Sequence, residues 1–137
     1  MKQEVINDIC ARLPYEIFIH YVYRDIRGKE WPTDLNLTHF ASDVESVVEF
    51  LEDVEVGNPK PYLRPMSSMT NEEHGRYMEF IEWSHNDYDG TTTTCINKER
   101  LHEYLDFIYS HHLDDNNFIE KDLALEAPEN MYKQEKI

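Results

Sequence analysis

Eleven residues form a joint in this chain, Lys60-Pro61-Tyr62-Leu63-Arg64-Pro65-Met66-Ser67-Ser68-Met69-Thr70. Pro61 and Pro65 restrict the residues before them to extended backbone and withhold two main-chain donors. Thr70 and Glu73 have the spacing of a capping box, in which each side chain bonds to the backbone N–H of the other residue. The joint therefore predicts extended chain over 62–66, a helix that begins at Asn71, and an architectural role without chemistry of its own.

The residues before the joint predict a helix, a β-hairpin and a second helix. Apolar residues up to Leu13 recur at helical spacing, and Pro14 ends that helix. Residues 15–23 place apolar side chains on both faces, which indicates a buried strand, and residues 31–40 supply an antiparallel partner after a turn. Residues 42–56 combine helical spacing with β-favouring valines, and we interpret them as a helix that a proline-rich break over 57–61 terminates.

The residues after the joint predict two helices and a returning segment. The first helix runs from Asn71 to about Ser84, a loop covers 85–94, and a second helix covers 98–112 with Asn97 as its cap. Apolar residues over 118–125 return to the core. The expected fold class is α+β, a small N-terminal antiparallel sheet with a C-terminal helical hairpin packed on it.

Length and composition indicate a single folded unit. The chain has 137 residues, of which 40% are hydrophobic and 12% aromatic, and disordered chains are poor in aromatic residues. This length suits one domain. We expect a single compact domain over 1–132 and a frayed C-terminal tail over 133–137.

Charge limits the classes of partner. Thirteen basic against twenty-eight acidic residues give a formal net charge of −15. Nucleic acids and anionic membranes attract cations and repel carboxylates, so direct binding to either is disfavoured and a basic protein partner is favoured. Cys10 and Cys95 form no Cys-x-x-Cys pair, and residues 1–4 lead straight into a helical pattern without a continuous apolar segment. The expected location is cytoplasmic, with both thiols reduced.

Two segments carry metal-ligand residue types without forming a complete motif. Residues 85–90 match three positions of an EF-hand loop, but His85 stands where aspartate is required and Ile96 where a bidentate glutamate is required. His111 and His112 are adjacent, and adjacent helical side chains point about 100° apart. The sequence also has no nucleophile motif and no glycine-rich phosphate loop. We expect no metal, no cofactor and no enzymatic activity.

Carboxylates dominate the region before the joint. Between Lys29 and Lys60 there is no lysine or arginine. Such a surface can compete for a nucleic-acid channel, because duplex DNA carries one charge per roughly 1.7 Å of its axis. The alternative is a solvated acidic face that aids solubility. The candidate partner-binding residues are Asp43, Glu45, Glu49, Glu52, Asp53 and Glu55.

Three patches of the chain resemble a family of small proteins encoded by phages and prophages of gut bacteria. The patches are residues 10–15, the joint, and the end from about Leu105 to Tyr132, which includes Leu-Ala-Leu-Glu-Ala-Pro-Glu. Family members often carry glycine where this chain has Glu16, Asp122 and Asn130. The resemblance implies a phage or prophage origin but no activity, ligand or site residue.

Three functional hypotheses follow. The first is an accessory protein that binds another protein through its acidic surface. Its narrower form is an anti-defence inhibitor of a nucleic-acid-binding host protein, such as an anti-CRISPR protein or a nucleic-acid mimic. The second is a metal-dependent hydrolase whose site is assembled by the fold. The third is a structural or oligomer-forming protein, in which Tyr21, Tyr23, Trp31 and Trp83 lie in self-contacts.

Overall fold

The structure is a computed structural model that describes residues 2–13, 15–37, 44–53, 56–90 and 92–132. These residues form four α-helices and two sheets, which confirms the α+β class. No helix among them is long and apolar enough to cross a bilayer. The proposed tail over 133–137 lies outside the described residues.

The elements, in chain order, are α1 (Lys2–Arg12), β1 (Phe18–Arg24), β2 (Glu30–Asn36), α2 (Val44–Glu52), β3 (Val56–Pro65), α3 (Asn71–Glu79), β4 (Ile81–Asn86), β5 (Thr92–Ile96), α4 (Leu101–Ser110), β6 (Leu113–Asp114) and β7 (Leu125–Glu126).

Strand β3 is the centre of the larger sheet. It pairs antiparallel with β1, which in turn pairs antiparallel with β2, and its C-terminal half pairs in parallel with β6 and β7. The proposed break over 57–61 is therefore wrong, because the strand runs through Pro59 and Pro61. The prolines do not end the strand, but they limit the hydrogen bonds that it can make to its neighbours. Pro61 and Pro65 cannot donate to a neighbouring strand. Just before β6 and just after β7, two further bonds support the parallel pairing, from Arg64 N to His112 O (2.7 Å) and from Ala127 N to Leu63 O (2.8 Å).

Helices α1 and α2 pack against the sheet, as their apolar spacing predicts. Ile9 of α1, Ile19 of β1 and Leu51 of α2 are completely buried in one cluster. Phe118 and Ala124 join that cluster, which confirms that the segment over 118–125 returns to the core. A second cluster is formed by Phe80, Tyr104, Phe107, Ile108 and Leu113.

The predicted helical hairpin is not the arrangement observed. Helix α3 ends at Glu79, not near Ser84, and the next residues form the two-stranded sheet β4–β5 where a loop was expected. The run of threonines in β5 favours extended backbone because β-branched side chains suit a pleated strand. Helix α4 follows a 3₁₀ turn, and the Asn97 side chain caps this turn by accepting from Glu99 N at 3.0 Å.

The joint is closed by the predicted capping box and by an ion pair. Thr70 Oγ1 accepts from Glu73 N at 3.1 Å, and Glu73 Oε1 accepts from Thr70 N at 2.9 Å. The Glu73 carboxylate also binds both terminal nitrogens of Arg64, at 2.7 and 2.8 Å. These bonds to Arg64 hold the pKa of Glu73 at about 2, below its usual range. Glu73 therefore completes the capping box of α3 and also holds the end of β3 through Arg64.

We expect Glu73→Gln to lower the free energy of unfolding by about 3 kcal/mol, because it leaves the largely buried Arg64 guanidinium without its counter-charge. Urea denaturation measures this difference. The matched control is Glu79→Gln, which breaks the exposed pair between Arg76 and Glu79 and should cost less than about 1 kcal/mol. Equal losses in the two variants would contradict the structural role assigned to Glu73.

The same pair predicts a pH dependence. The folded pKa of Glu73 is about 2, against an ordinary value of 4.5, so the folded state favours the ionised form. Its contribution to stability is complete above pH 4.5 and is lost as the pH falls from 4.5 towards 2. The difference in unfolding free energy between the wild type and Glu73→Gln should shrink across that window. A difference that stays constant down to pH 2 would refute this assignment.

Candidate functional site

Three of the candidate carboxylates form a row on one face of α2. Glu45, Glu49 and Glu52 are separated by four and three residues, so their side chains share a face that spans about 10 Å of the helix axis. All three are exposed, and none has an ion pair among the described residues. Asp53 follows the helix directly. Asp43 and Glu55 lie outside the described residues. We call Glu45, Glu49 and Glu52 the carboxylate row.

The opposite face of α2 holds the carboxylate row in position. Val47 and Leu51 are buried in the core, and the Phe50 ring meets the Tyr21 ring edge-on, with centroids 5.2 Å apart. The Lys2 ammonium donates to the carbonyl oxygens of Asp53 (3.3 Å) and Val56 (3.0 Å), just beyond the helix. A cation at that end interacts favourably with the helix dipole. Lys2 is thereby bound to backbone oxygens and does not pair with the row.

A cleft of about 620 Å³ lies between the joint and the segment that follows β7. Sequence reasoning missed it because its two walls lie some sixty residues apart in the chain. Arg64 lines the cleft, but all four protons on its terminal nitrogens bind within the protein, to Glu73, His111 O and Ser68 O. Glu73 also lines the cleft and is paired with Arg64, and the other charged residues of the lining are Glu126 and Glu129. The cleft therefore presents carboxylates to solvent and no uncommitted arginine.

Tyr132 fixes one end of the cleft. Its hydroxyl accepts from Phe18 N at 2.9 Å and donates to Tyr62 O at 2.7 Å, so it bridges β1 and β3 where their pairing ends. Its ring stacks on His112 with centroids 3.6 Å apart. Burial lowers the pKa of His112 to about 4, which keeps the imidazole neutral at neutral pH.

A hydrogen-bonded group that the sequence did not reveal lies on the face of the sheet away from α1. Asp34 Oδ1 is 2.8 Å from His20 Nδ1 and accepts from the Tyr62 hydroxyl, also at 2.8 Å. Burial, with the bond to Asp34, raises the pKa of Tyr62 to about 12. The hydroxyl is therefore protonated at neutral pH and serves as a donor. The three residues come from three strands, so only the sheet register brings them together.

The two segments with metal-ligand residue types have other contacts. His111 Nδ1 lies 2.9 Å from Phe107 O, and His112 stacks on Tyr132. Asp87 accepts from the Thr93 hydroxyl at 3.1 Å across the β4–β5 hairpin. Among the residues that the structure describes, no three histidine, cysteine, aspartate or glutamate side chains are close enough together to hold a metal ion.

Comparisons with known proteins give no further information on identity. No protein-family model matches the chain, and neither a curated protein nor a solved structure is significantly similar to it.

We expect Tyr132→Phe to reduce the free energy of unfolding by about 1–3 kcal/mol, because it leaves the amide of Phe18 and the carbonyl of Tyr62 without their shared partner. The control is Tyr88→Phe, at a fully exposed ring, which should leave stability unchanged. Thermal and urea denaturation of both variants measure the effect. If Tyr132→Phe were as stable as Tyr88→Phe, the hydrogen bonds of the Tyr132 hydroxyl to β1 and β3 would not stabilise the fold, and the prediction would be wrong.

Proposed function

We propose that this protein acts by binding another protein and that the carboxylate row of α2 contacts a basic surface of that partner. The observation that carries the proposal is the row itself, three exposed carboxylates on one helix face without an ion pair among the described residues. Exposed like charges at this spacing repel one another by a few tenths of a kcal/mol. A basic partner would remove that repulsion on binding.

Electrostatic contact of this kind acts mainly on the rate and specificity of association. Complementary charge raises the association rate, and salt reduces the effect because the Debye length is about 8 Å at physiological ionic strength. The remaining excess of negative charge would extend the field beyond the row. The proposed interaction is therefore fast, sensitive to salt and selective for cationic surfaces.

The narrower form of the proposal is inhibition of a nucleic-acid-binding host protein by a phage- or prophage-encoded protein. Three charges over about 10 Å are sparser than the one charge per roughly 1.7 Å of duplex DNA, so the row alone could supply only part of such a surface. A mimic of nucleic acid would need further carboxylates beside the row. Competition with DNA or RNA for the captured partner distinguishes this form from general protein binding.

A binding role without catalysis also suits the contacts of the charged residues in the cleft. Arg64 and Glu73 neutralise each other and hold the backbone of the joint, so neither is poised for proton transfer or anion binding. The Tyr62 hydroxyl, with its raised pKa, is a poor nucleophile at neutral pH. These features support the proposal of a non-enzymatic protein.

We expect the triple variant Glu45→Gln, Glu49→Gln and Glu52→Gln to lose at least tenfold in affinity for the partner. The experiment captures proteins on the tagged wild type from a nuclease-treated lysate of a gut bacterium, identifies a stoichiometric partner and measures its affinity after purification. The matched control is Glu4→Gln, Glu99→Gln and Glu120→Gln, which changes the net charge equally at exposed sites elsewhere.

Three outcomes decide the proposal. Loss of affinity in the α2 variant alone supports a contact at the carboxylate row. Equal loss in both variants means that net charge acts without a defined surface. Unchanged affinity in both, or no stoichiometric partner at any salt concentration, contradicts the proposal.

A further inference from the structure

The end of the β1–β2 hairpin exposes an apolar cluster. Tyr23 and Trp31 face each other across the two strands and are 41% and 47% exposed, and Ile26 in the turn is fully exposed. Trp31 is held firmly, because its indole N–H donates to Asp25 at 3.0 Å and the Lys29 ammonium lies 4.2 Å from its ring centroid. Rigid exposed aromatic side chains lose little entropy on binding and are typical interface anchors. We call residues 23–31 the basic tip.

The charges of the basic tip leave a positive excess. Asp25 accepts from the backbone of Arg27 and of Lys29 as well as from Trp31, but these neutral donors leave its charge in place. The tip thus has three cations against two carboxylates, a net charge of 3 − 2 = +1. Glu30 pairs with Arg24 at 3.1 Å. Arg27 and Lys29 have no carboxylate partner among the described residues. The tip therefore presents two cations beside its aromatic rings, on a chain that is strongly acidic as a whole.

The β4–β5 hairpin has the opposite character, and we call residues 81–96 the acidic arm. Trp83 is 51% exposed and Tyr88 at its end is fully exposed. The arm carries Glu82, Asp87 and Asp89 and contains no lysine or arginine. A two-stranded sheet without cover is marginally stable in water, so a surface that packs against it would stabilise it.

We propose that the basic tip of one copy of this chain docks on the acidic arm of a second copy. Both the basic tip and the acidic arm combine exposed aromatic side chains with charged residues, and the two surfaces have opposite net charge. Contacts between two tips or between two arms would bring like charges together, so charge selects the head-to-tail contact. Such a contact uses two different surfaces, so it builds open chains, with one tip and one arm free at the ends, or closed rings, in which neither is free. It does not involve α2 and is independent of the proposed partner contact.

The test reverses the charges of the tip or of the arm and measures self-association by sedimentation velocity, from low micromolar to near-millimolar protein. One variant carries Arg27→Glu and Lys29→Glu in the tip, and the other carries Glu82→Lys and Asp89→Lys in the arm. Asp87 is left intact because it bonds to Thr93. The wild type should show a mean mass that rises with concentration, and each variant alone should associate at least tenfold more weakly.

Mixing gives the decisive result. An equimolar mixture of the two variants should recover association, since the acidic tip of one variant then meets the basic arm of the other. A third variant, Trp31→Ser, keeps every charge and should also weaken association at least tenfold. Far-ultraviolet circular dichroism confirms that the variants are folded. A wild type that remains monomeric throughout, or a mixture that does not recover association, overturns the proposal.

Discussion

The bidentate pair between Arg64 and Glu73 is the contact on which the second half of the molecule depends. It joins the end of β3 to the first turn of α3, and through the carbonyl oxygen of His111 it reaches the end of α4. A lysine could not replace the arginine, because four directed donors are needed for three acceptor groups. With β3 anchored in this way, its C-terminal half can pair with β6 and β7 despite the donors that its prolines withhold.

Several cations are held in contacts within the protein, and the carboxylates Asp8, Glu73 and Asp114 are buried as well. Arg12 is completely buried against Asp8 and Arg64 is bound within the joint, while Lys2 binds the carbonyl oxygens beyond α2. Many of the carboxylates, by contrast, remain on the surface. The carboxylate row is the clearest example, and in the basic tip cations are exposed beside exposed aromatic rings. Both proposals follow from this uneven distribution.

Local signals predicted the elements that depend on near neighbours, including α1, α2 and the capping box at Thr70. The sequence failed where distant residues decide the structure. The Arg64 bonds connect four segments, and the cleft joins residues some sixty positions apart. The β4–β5 hairpin was missed for a local reason, because the helix predicted to continue to about Ser84 covered most of β4. Asp122 and Asn130 both have positive φ (60° and 76°), a backbone that aspartate and asparagine tolerate better than most residues. The sequence identified six candidate carboxylates, and the observed helix α2 shows that three of these side chains, the carboxylate row, share one face.

Native-state hydrogen exchange on the wild type and on Glu73→Gln tests the central role of the Arg64–Glu73 pair most directly. If the pair holds the joint together, the variant should lose protection at three amides at once, Arg64 in β3, His74 in α3 and Ala127 beyond β7. The amides that pair β1 with β2 should keep their relative protection. Loss confined to the first turn of α3 would contradict this account, because Glu73 would then be a helix cap and nothing more.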